Sequence, residues 1–165
     1  MNRSIKAFCL VVVGVAAVGA YLSAPGGAHA SKDLWLITPQ EAAMDPAPDL
    51  PGGGVTAIGA ESDLGPKIDV VKPINGGSAP PPVEVEIKFA QKGSPVDPES
   101  LKVSVVKFID IDITDRVRAH SSTSGIHVPG AQIPSGKHTV RISIADKDGL
   151  RSVKDVTFEV LDKKP

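Results

Sequence analysis

The strongest constraint on the fold of this chain is a pair of alternating segments within residues 133–160. In each segment, apolar side chains occupy every second position. They are Val140, Ile142 and Ile144, and then Val156, Phe158 and Val160. The sequence Asp-Lys-Asp-Gly lies between the two segments and is typical of a tight turn. Because a period of two gives each strand one apolar face, the pattern predicts two antiparallel strands packed on a core.

The same alternation recurs through the rest of the second half of the chain. The predicted strands are 67–71, 83–89, 101–105, 112–117, the short edge segments 126–128 and 131–133 around Pro129, and the pair described above. The apolar phase of the third strand continues through Ile109, Ile111 and Ile113, with a bend near residues 107–110. No segment of this region shows a helical period. About seven short strands with regular turn signals predict an all-β, antiparallel sandwich.

Several motifs within residues 66–161 have a recognisable order. They are Pro-Lys-Ile-Asp-Val-Val at 66–71, Val-Asp-x-x-Ser-Leu-x-Val at 96–103, Pro-Ser-Gly-Lys-His-Thr-Val at 134–140, Asp-x-x-Gly at 146–149 and Phe-x-Val at 158–160. In this arrangement the region resembles bacterial immunoglobulin-like domains of exported and surface proteins. The resemblance implies an immunoglobulin-like fold. It implies no single function, because such domains serve as spacers, adhesion modules and enzyme appendages.

The tail of the chain also resembles the periplasmic copper-resistance carrier family. The shared pattern is a Pro-x-Gly turn, a strand, an Asp-Gly pair and a final strand. That family binds copper through histidines at its mature N-terminus and after the Asp-Gly pair. The corresponding positions of this chain are Ser31 and Leu150, so the resemblance implies the fold without the copper ligands.

Residues 1–30 have the three parts of a secretory signal peptide. Arg3 and Lys6 form a basic start, residues 7–20 are apolar, and Ala-His-Ala at 28–30 presents small residues to a signal peptidase. We expect cleavage before Ser31 and a periplasmic or secreted protein. The alternative is an uncleaved segment that anchors the chain, in which case the signal peptide is its only membrane contact.

Charge and composition exclude some classes of partner. The single cysteine, Cys9, lies in the signal peptide, so the exported part has no disulfide to support its fold. That part carries 16 basic and 19 acidic residues, a net charge of −3, and only four aromatic residues. We therefore expect no nucleic-acid partner, because binding to phosphates and bases needs basic and aromatic surfaces.

The segment 31–44 has an unusual apolar run for a chain terminus, formed by Leu34, Trp35, Leu36 and Ile37. The following Thr-Pro-Gln-Glu at 38–41 predicts a capping box and a short helix over residues 39–44. The segment either packs back on the domain or docks on a partner protein, with Trp35 as the anchor.

Residues 45–65 are rich in proline and glycine and predict a flexible linker before the domain at 66–165. A consequence of the linker is that deletion of residues 31–65 should leave that domain folded.

Two groups of side chains are candidates for a metal site. His120 and His127 flank a turn and can offer imidazoles to zinc or copper across a hairpin, although no third ligand completes the set. Five aspartates offer oxygens to calcium if two loops meet at one end of the sandwich. They are Asp110, Asp112, Asp115, Asp146 and Asp148.

The sequence contains no arrangement that predicts catalysis or a bound cofactor. Ser121, Ser122 and Ser124 form a loop without the strand–turn–helix context of a nucleophile. The leading hypothesis is therefore an exported, non-catalytic module that contacts a protein of the envelope or cell surface. The alternative is a periplasmic protein that binds calcium, copper or zinc.

Overall fold

The computed structural model describes residues 35–46 and 62–162, and these residues form two facing β-sheets. The helices are α1 (Pro39–Ala42) and α2 (Thr114–Arg118). The strands are β1 (Ser62–Asp63), β2 (Lys67–Lys72), β3 (Ser78–Ala79), β4 (Val83–Ala90), β5 (Val96–Val105), β6 (Ile111–Asp112), β7 (Ser121–Ser122), β8 (Gly125–Ala131), β9 (Gly136–Asp146) and β10 (Arg151–Val160).

The strand order identifies the type of sandwich. One sheet has the order β2-β4-β8-β7, and the other has the order β1-β10-β9-β5-β6, with β3 also paired to β10. If the short strands β1, β3 and β6 are set aside, seven strands remain. Counted in chain order among these seven, β2, β4, β8 and β7 are the first, second, fifth and fourth strands and form one sheet. The seventh, sixth and third strands, β10, β9 and β5, form the other, and this is the immunoglobulin arrangement. The prediction of an all-β, immunoglobulin-like sandwich is confirmed.

The closing hairpin has the predicted register. Strands β9 and β10 pair along their whole length, from Ala145 opposite Arg151 to Gly136 opposite Val160. At the turn, the Asp146 carboxylate accepts hydrogen bonds from the backbone N–H groups of Asp148 and Leu150, at 3.0 and 2.9 Å. Asp146 therefore closes the turn with charge-assisted bonds to backbone donors.

The inner faces of the two sheets form the core. Its fully buried side chains come from both sheets, and the largest include Val83 and Val128 of one sheet and Val105, Ile142 and Ile144 of the other. Burial of each such side chain stabilises the fold by about 1.5–3 kcal/mol relative to its exposure.

The predicted fourth strand at 112–117 is wrong, because this region contains helix α2. The Asp112 side chain accepts a hydrogen bond from the backbone N–H of Thr114 at 2.8 Å, which starts a turn. The Thr114 hydroxyl in turn bonds to the backbone N–H and carbonyl of Val103, at 2.9 and 3.3 Å. The predicted inward phase also ends early, since Ile109 is 63% exposed. Local side-chain bonds to the backbone replace the strand here.

The predicted edge segment 126–128 and the first residue of the segment 131–133 belong to one strand, β8, which ends at Ala131 and lies between β4 and β7. Its pairing with β4 shifts between Val85 opposite Val128 and Val83 opposite Ala131, so Pro129 occupies the irregular stretch. Strand β7 pairs only with the start of β8, at Gly125 and Ile126. Pro129 is tolerated because this part of β8 needs no regular ladder bond from its nitrogen.

The domain begins before the predicted boundary at residue 66. Ser62 and Asp63 pair with β10, and Gly65 passes so close to β10 that a Cβ there would lie 2.1 Å from the carbonyl oxygen of Leu150. Of the predicted linker 45–65, residues 47–61 lie outside the described part of the chain. The signal peptide 1–30, its cleavage site and Leu34 also lie outside it. Within the described ranges, no helix is long and apolar enough to cross a bilayer.

Candidate functional site

The most distinctive part of the surface is built by residues 35–46, which we name the strap. Trp35 forms a parallel bridge with Gln132, and the backbone N–H of Leu36 donates to the Gln132 carbonyl at 3.1 Å. Leu36 is buried, and Ile37 has 0% of its surface exposed. The strap thus adds two side chains to the sandwich core.

This packing corrects the prediction of a docking peptide for two of its residues. Leu36 and Ile37 belong to the core and are not available as anchors for a partner. Trp35 remains 39% exposed, and Leu34 is outside the described residues. The prediction that the domain stays folded after deletion of residues 31–65 remains to be tested, and the structure counts against it, because the deletion removes two core side chains and β1.

Helix α1 fixes the middle of the strap. The predicted capping box is confirmed: the backbone N–H of Thr38 donates to the Glu41 carboxylate at 2.8 Å, and the Glu41 N–H donates to the Thr38 hydroxyl at 3.3 Å. The guanidinium of Arg116, from α2, binds both oxygens of Glu41 at 2.7 and 2.8 Å and also donates to the Leu36 carbonyl at 2.9 Å. The helix ends at Ala42, two residues earlier than predicted.

The environment of Glu41 strongly favours its ionised form. The hydrogen bonds from Arg116, together with those from Thr38, lower the pKa of Glu41 to about 2, against a smaller opposing effect of burial. The same pair raises the pKa of Arg116. The ion pair is bidentate, which gives it a defined geometry in addition to its charge.

The end of the strap lies against the loop between β5 and β6. The buried Lys107 ammonium donates to the Ala42 carbonyl at 2.9 Å, and the backbone N–H of Phe108 donates to the Asp45 carbonyl at 3.0 Å. Both ends of the strap are therefore attached to the sandwich through backbone groups.

Three apolar side chains at this junction face solvent, and we name them the end patch: Met44, Phe108 and Ile109. Phe108 is 69% exposed and Ile109 is 63% exposed. Two exposed acidic residues adjoin the patch in sequence: Asp45 follows Met44, and Asp110 follows Ile109. The sequence does not indicate this patch, because its apolar alternation assigns Ile109 to the core.

The two candidate histidines lie next to each other, as predicted, but they supply only two of the ligands that a metal site needs. The backbone N–H of His127 donates to the His120 carbonyl at 2.9 Å, so the two residues lie opposite each other on β8 and beside β7. Glu86 of β4 is the partner of His127 on its other side. Within residues 35–46 and 62–162, no group of three or more histidine, cysteine or acidic side chains is placed to hold a metal ion.

The five aspartates do not form the predicted calcium site, because they lie at opposite ends of β5. Asp146 is the partner of Val96 at the start of this strand, while Asp112 is the partner of Ser104 near its end. On β9 the two points correspond to Asp146 and Arg141, five residues apart, so roughly 17 Å of strand separate them.

The individual aspartates bond within the protein. Asp110 lies 3.6 Å from the Arg141 guanidinium, and the Ser94 hydroxyl donates to Asp148. Asp115 lies 3.7 Å from Arg118 on the same helix. Asp112 and Asp146 accept the backbone bonds described above.

The serines of the predicted loop are arranged as a turn. The hydroxyls of Ser122 and Ser124 lie 2.8 Å apart, and the Ser121 hydroxyl donates to the Arg118 carbonyl at 2.8 Å. These contacts order the turn between β7 and β8 and pair no serine with a histidine.

A comparison with known proteins gives a loose structural likeness. No family model matches the chain, and no curated protein matches it. An endo-beta-1,4-mannanase from Thermotoga petrophila is 15% identical with a TM-score of 0.42, over 62% of this chain and 21% of that chain. CopC from Methylosinus trichosporium OB3b is 15% identical with a TM-score of 0.40, over 59% of this chain and 93% of that chain.

A third similar structure is that of the fibronectin(III)-like modules of CbhA from Clostridium thermocellum. It is 15% identical with a TM-score of 0.35, over 57% of this chain and 94% of that chain. The chain spans only about a fifth of the mannanase. The strand order within the two sheets, and not these distant likenesses, identifies this fold as an immunoglobulin-type sandwich.

Proposed function

We propose that the chain is an exported, non-catalytic module of the bacterial envelope that contacts a protein partner through the end patch. The observation that carries the proposal is the exposure of Phe108 and Ile109 side by side, directly after the buried residues Val106 and Lys107. Exposed apolar side chains that cluster on a loop are a common mark of a protein contact.

The surroundings of the patch define the kind of partner. Phe108 supplies a large, rigid apolar group of the kind that dominates binding energy at interfaces. Asp45 and Asp110 place negative charge next to it. We therefore propose a protein partner with an apolar surface bordered by basic residues, since complementary charges align and steer such contacts.

Export is supported by the pattern of residues 1–30, with its basic start, apolar stretch and small residues before Ser31. A non-catalytic role is supported by the serine turn, where the hydroxyls bond to each other and to backbone groups. The acidic side chains around the sandwich likewise serve turns and ion pairs.

Photocrosslinking in cells tests this function. A photoreactive amino acid at Phe108 should crosslink to one envelope protein, and the matched variant at Ile74, an equally exposed apolar residue at 72%, should not. Addition of Ile109→Ser to the Phe108 probe should abolish the crosslink. Equal crosslinking from Phe108 and Ile74, or none from either, would contradict the proposal.

A second candidate function is binding of zinc or copper, favoured by the opposed pair His120 and His127 with Glu86 in the same row. Imidazole and carboxylate side chains on neighbouring strands can converge on one ion if their rotamers change. Zinc should then raise the melting temperature of the protein and not that of His127→Ala, because a ligand that binds only the native state stabilises it. No shift at millimolar zinc or copper would exclude this function.

A further inference from the structure

One buried titratable side chain, His138 of β9, has no part in the proposed function. It is 2% exposed, and its ring lies 6.1 Å from that of Phe158, its partner on β10. Its Nε2 lies 2.8 Å from the Pro134 carbonyl, so this nitrogen carries the proton and donates it. Its Nδ1 is buried and has no hydrogen-bond partner.

A second proton on this ring would have to bind at Nδ1. The new N–H would be a buried donor without an acceptor, and the charge would be buried with it. A positive charge also lies near this part of β9, because the backbone N–H of Val106 donates to the Thr139 carbonyl at 2.8 Å and so brings the following Lys107 to the strand beside His138. Phe158 and the Pro134 carbonyl, which pack against it from β10 and from the segment before β9, supply no negative charge.

Burial, and to a smaller extent the Lys107 charge, lower the pKa of His138, while the bond to Pro134 opposes them. The sign follows from this direction. The native arrangement is fully stable above the ordinary histidine pKa of 6.5 and loses stability as the pH falls below it, toward the lower native pKa.

Both attachments of the strap are connected to the surroundings of His138. The start of the strap is bound to Gln132, two residues before the Pro134 carbonyl that accepts from His138. Its end is bound by Lys107, which donates to the Ala42 carbonyl. If the charged His138 ring moves out of its buried site, it displaces the segment that carries Pro134 and Gln132. If Lys107 moves away from the charged ring, it leaves the Ala42 carbonyl. Protonation of His138 therefore acts on both attachments.

We propose that His138 is a pH-sensitive latch, and that its protonation loosens the strap from the sandwich while the two sheets stay folded. The proton comes from solvent and binds at Nδ1, and no covalent bond is made or broken. The Glu41–Arg116 ion pair sets the limit of the response, because Glu41 stays ionised down to a pH of about 2. Mild acid thus frees the two ends of the strap before its middle.

The only tryptophan of the chain, Trp35, lies at the first attachment and reports on it directly. The experiment follows Trp35 fluorescence and far-ultraviolet circular dichroism of the purified protein between pH 8 and pH 4.5. We expect the emission to shift to the red with a midpoint below 6.5, while the circular dichroism of the sheets is unchanged. In His138→Gln, which keeps a donor for the Pro134 carbonyl, the shift should be absent.

His127→Gln, at an exposed histidine, is the matched control and should keep the wild-type shift. If His138→Gln does not fold, nuclear magnetic resonance of the wild type decides the question, because the titration of the His138 ring must coincide with the Trp35 midpoint. A flat Trp35 signal while His138 titrates overturns the proposal. A Trp35 shift that persists in His138→Gln overturns it as well.

Discussion

Replacement of Ile37 by alanine tests whether the strap is part of the core. Ile37 has no exposed surface, so the change removes three buried carbon groups and leaves a cavity. At about 0.8 kcal/mol for each buried CH₂ group, plus the cavity, the loss of unfolding free energy is about 2–5 kcal/mol. For a urea dependence of about 2 kcal/mol per molar, the midpoint should fall by roughly 1–2.5 M.

The assay is urea denaturation of wild type, Ile37→Ala and Ile74→Ala, monitored by Trp35 fluorescence and by circular dichroism. Ile74 is the matched control because its side chain is 72% exposed, and its replacement should change stability by less than about 0.5 kcal/mol. If both variants unfold at the same urea concentration, the side chain of Ile37 is not packed in the core and the reasoning on the strap fails.

Three further predictions concern the turn, the domain start and the strap ion pair. Asp146→Ala should lower the unfolding free energy by about 1–3 kcal/mol in urea denaturation, because two backbone N–H groups at the β9–β10 turn lose their acceptor; an unchanged midpoint would count against this role. Gly65→Ala should cost about 1–3 kcal/mol through its clash with β10, whereas Gly93→Ala, which has open space around it, should be nearly neutral; similar melting temperatures for both would refute the close approach. The lowered pKa of Glu41 means that its pairing with Arg116 stabilises the fold above pH 4.5 and is lost as the pH falls toward 2. Wild type should therefore lose more stability than Glu41→Gln between pH 5 and pH 2.5, and parallel losses would contradict this.

The parts of the fold that the sequence predicts correctly depend on short-range patterns. Val140, Val156 and Phe158 alternate with polar residues, and this period alone determines which face of each strand is buried. The capping box at Thr38 is equally local, because both of its hydrogen bonds connect residues three positions apart.

The errors arise where long-range contacts or side-chain bonds decide the structure. The alternation through Ile109 and Ile113 predicts a strand, but the bonds of Asp112 and Thr114 to nearby backbone groups favour a helix. No local signal shows that Ile37 joins a core built by strands that begin 25 or more residues later in the chain.

The candidate site was predicted only in part. The approach of His120 and His127 follows from the turn between them, which is visible in the sequence. The separation of Asp112 from Asp146 depends on the register of β5 against its neighbours, and the end patch depends on where β5 stops. Neither quantity is encoded in a pattern of a few residues.

The parallel pairing of β3 with β10 has a mechanical consequence. Glu159 and Leu161 donate to the carbonyls of Gly77 and Ala79, so the last strand is joined to a segment near the start of the domain and runs in the same direction. Suppose that the chain is pulled at the N-terminal end of β3 and at the C-terminal end of β10. Because the two strands are parallel, these forces slide them past each other along their length. This sliding must break these bonds together and not one after another, so the geometry is suited to carrying load along a stretched chain.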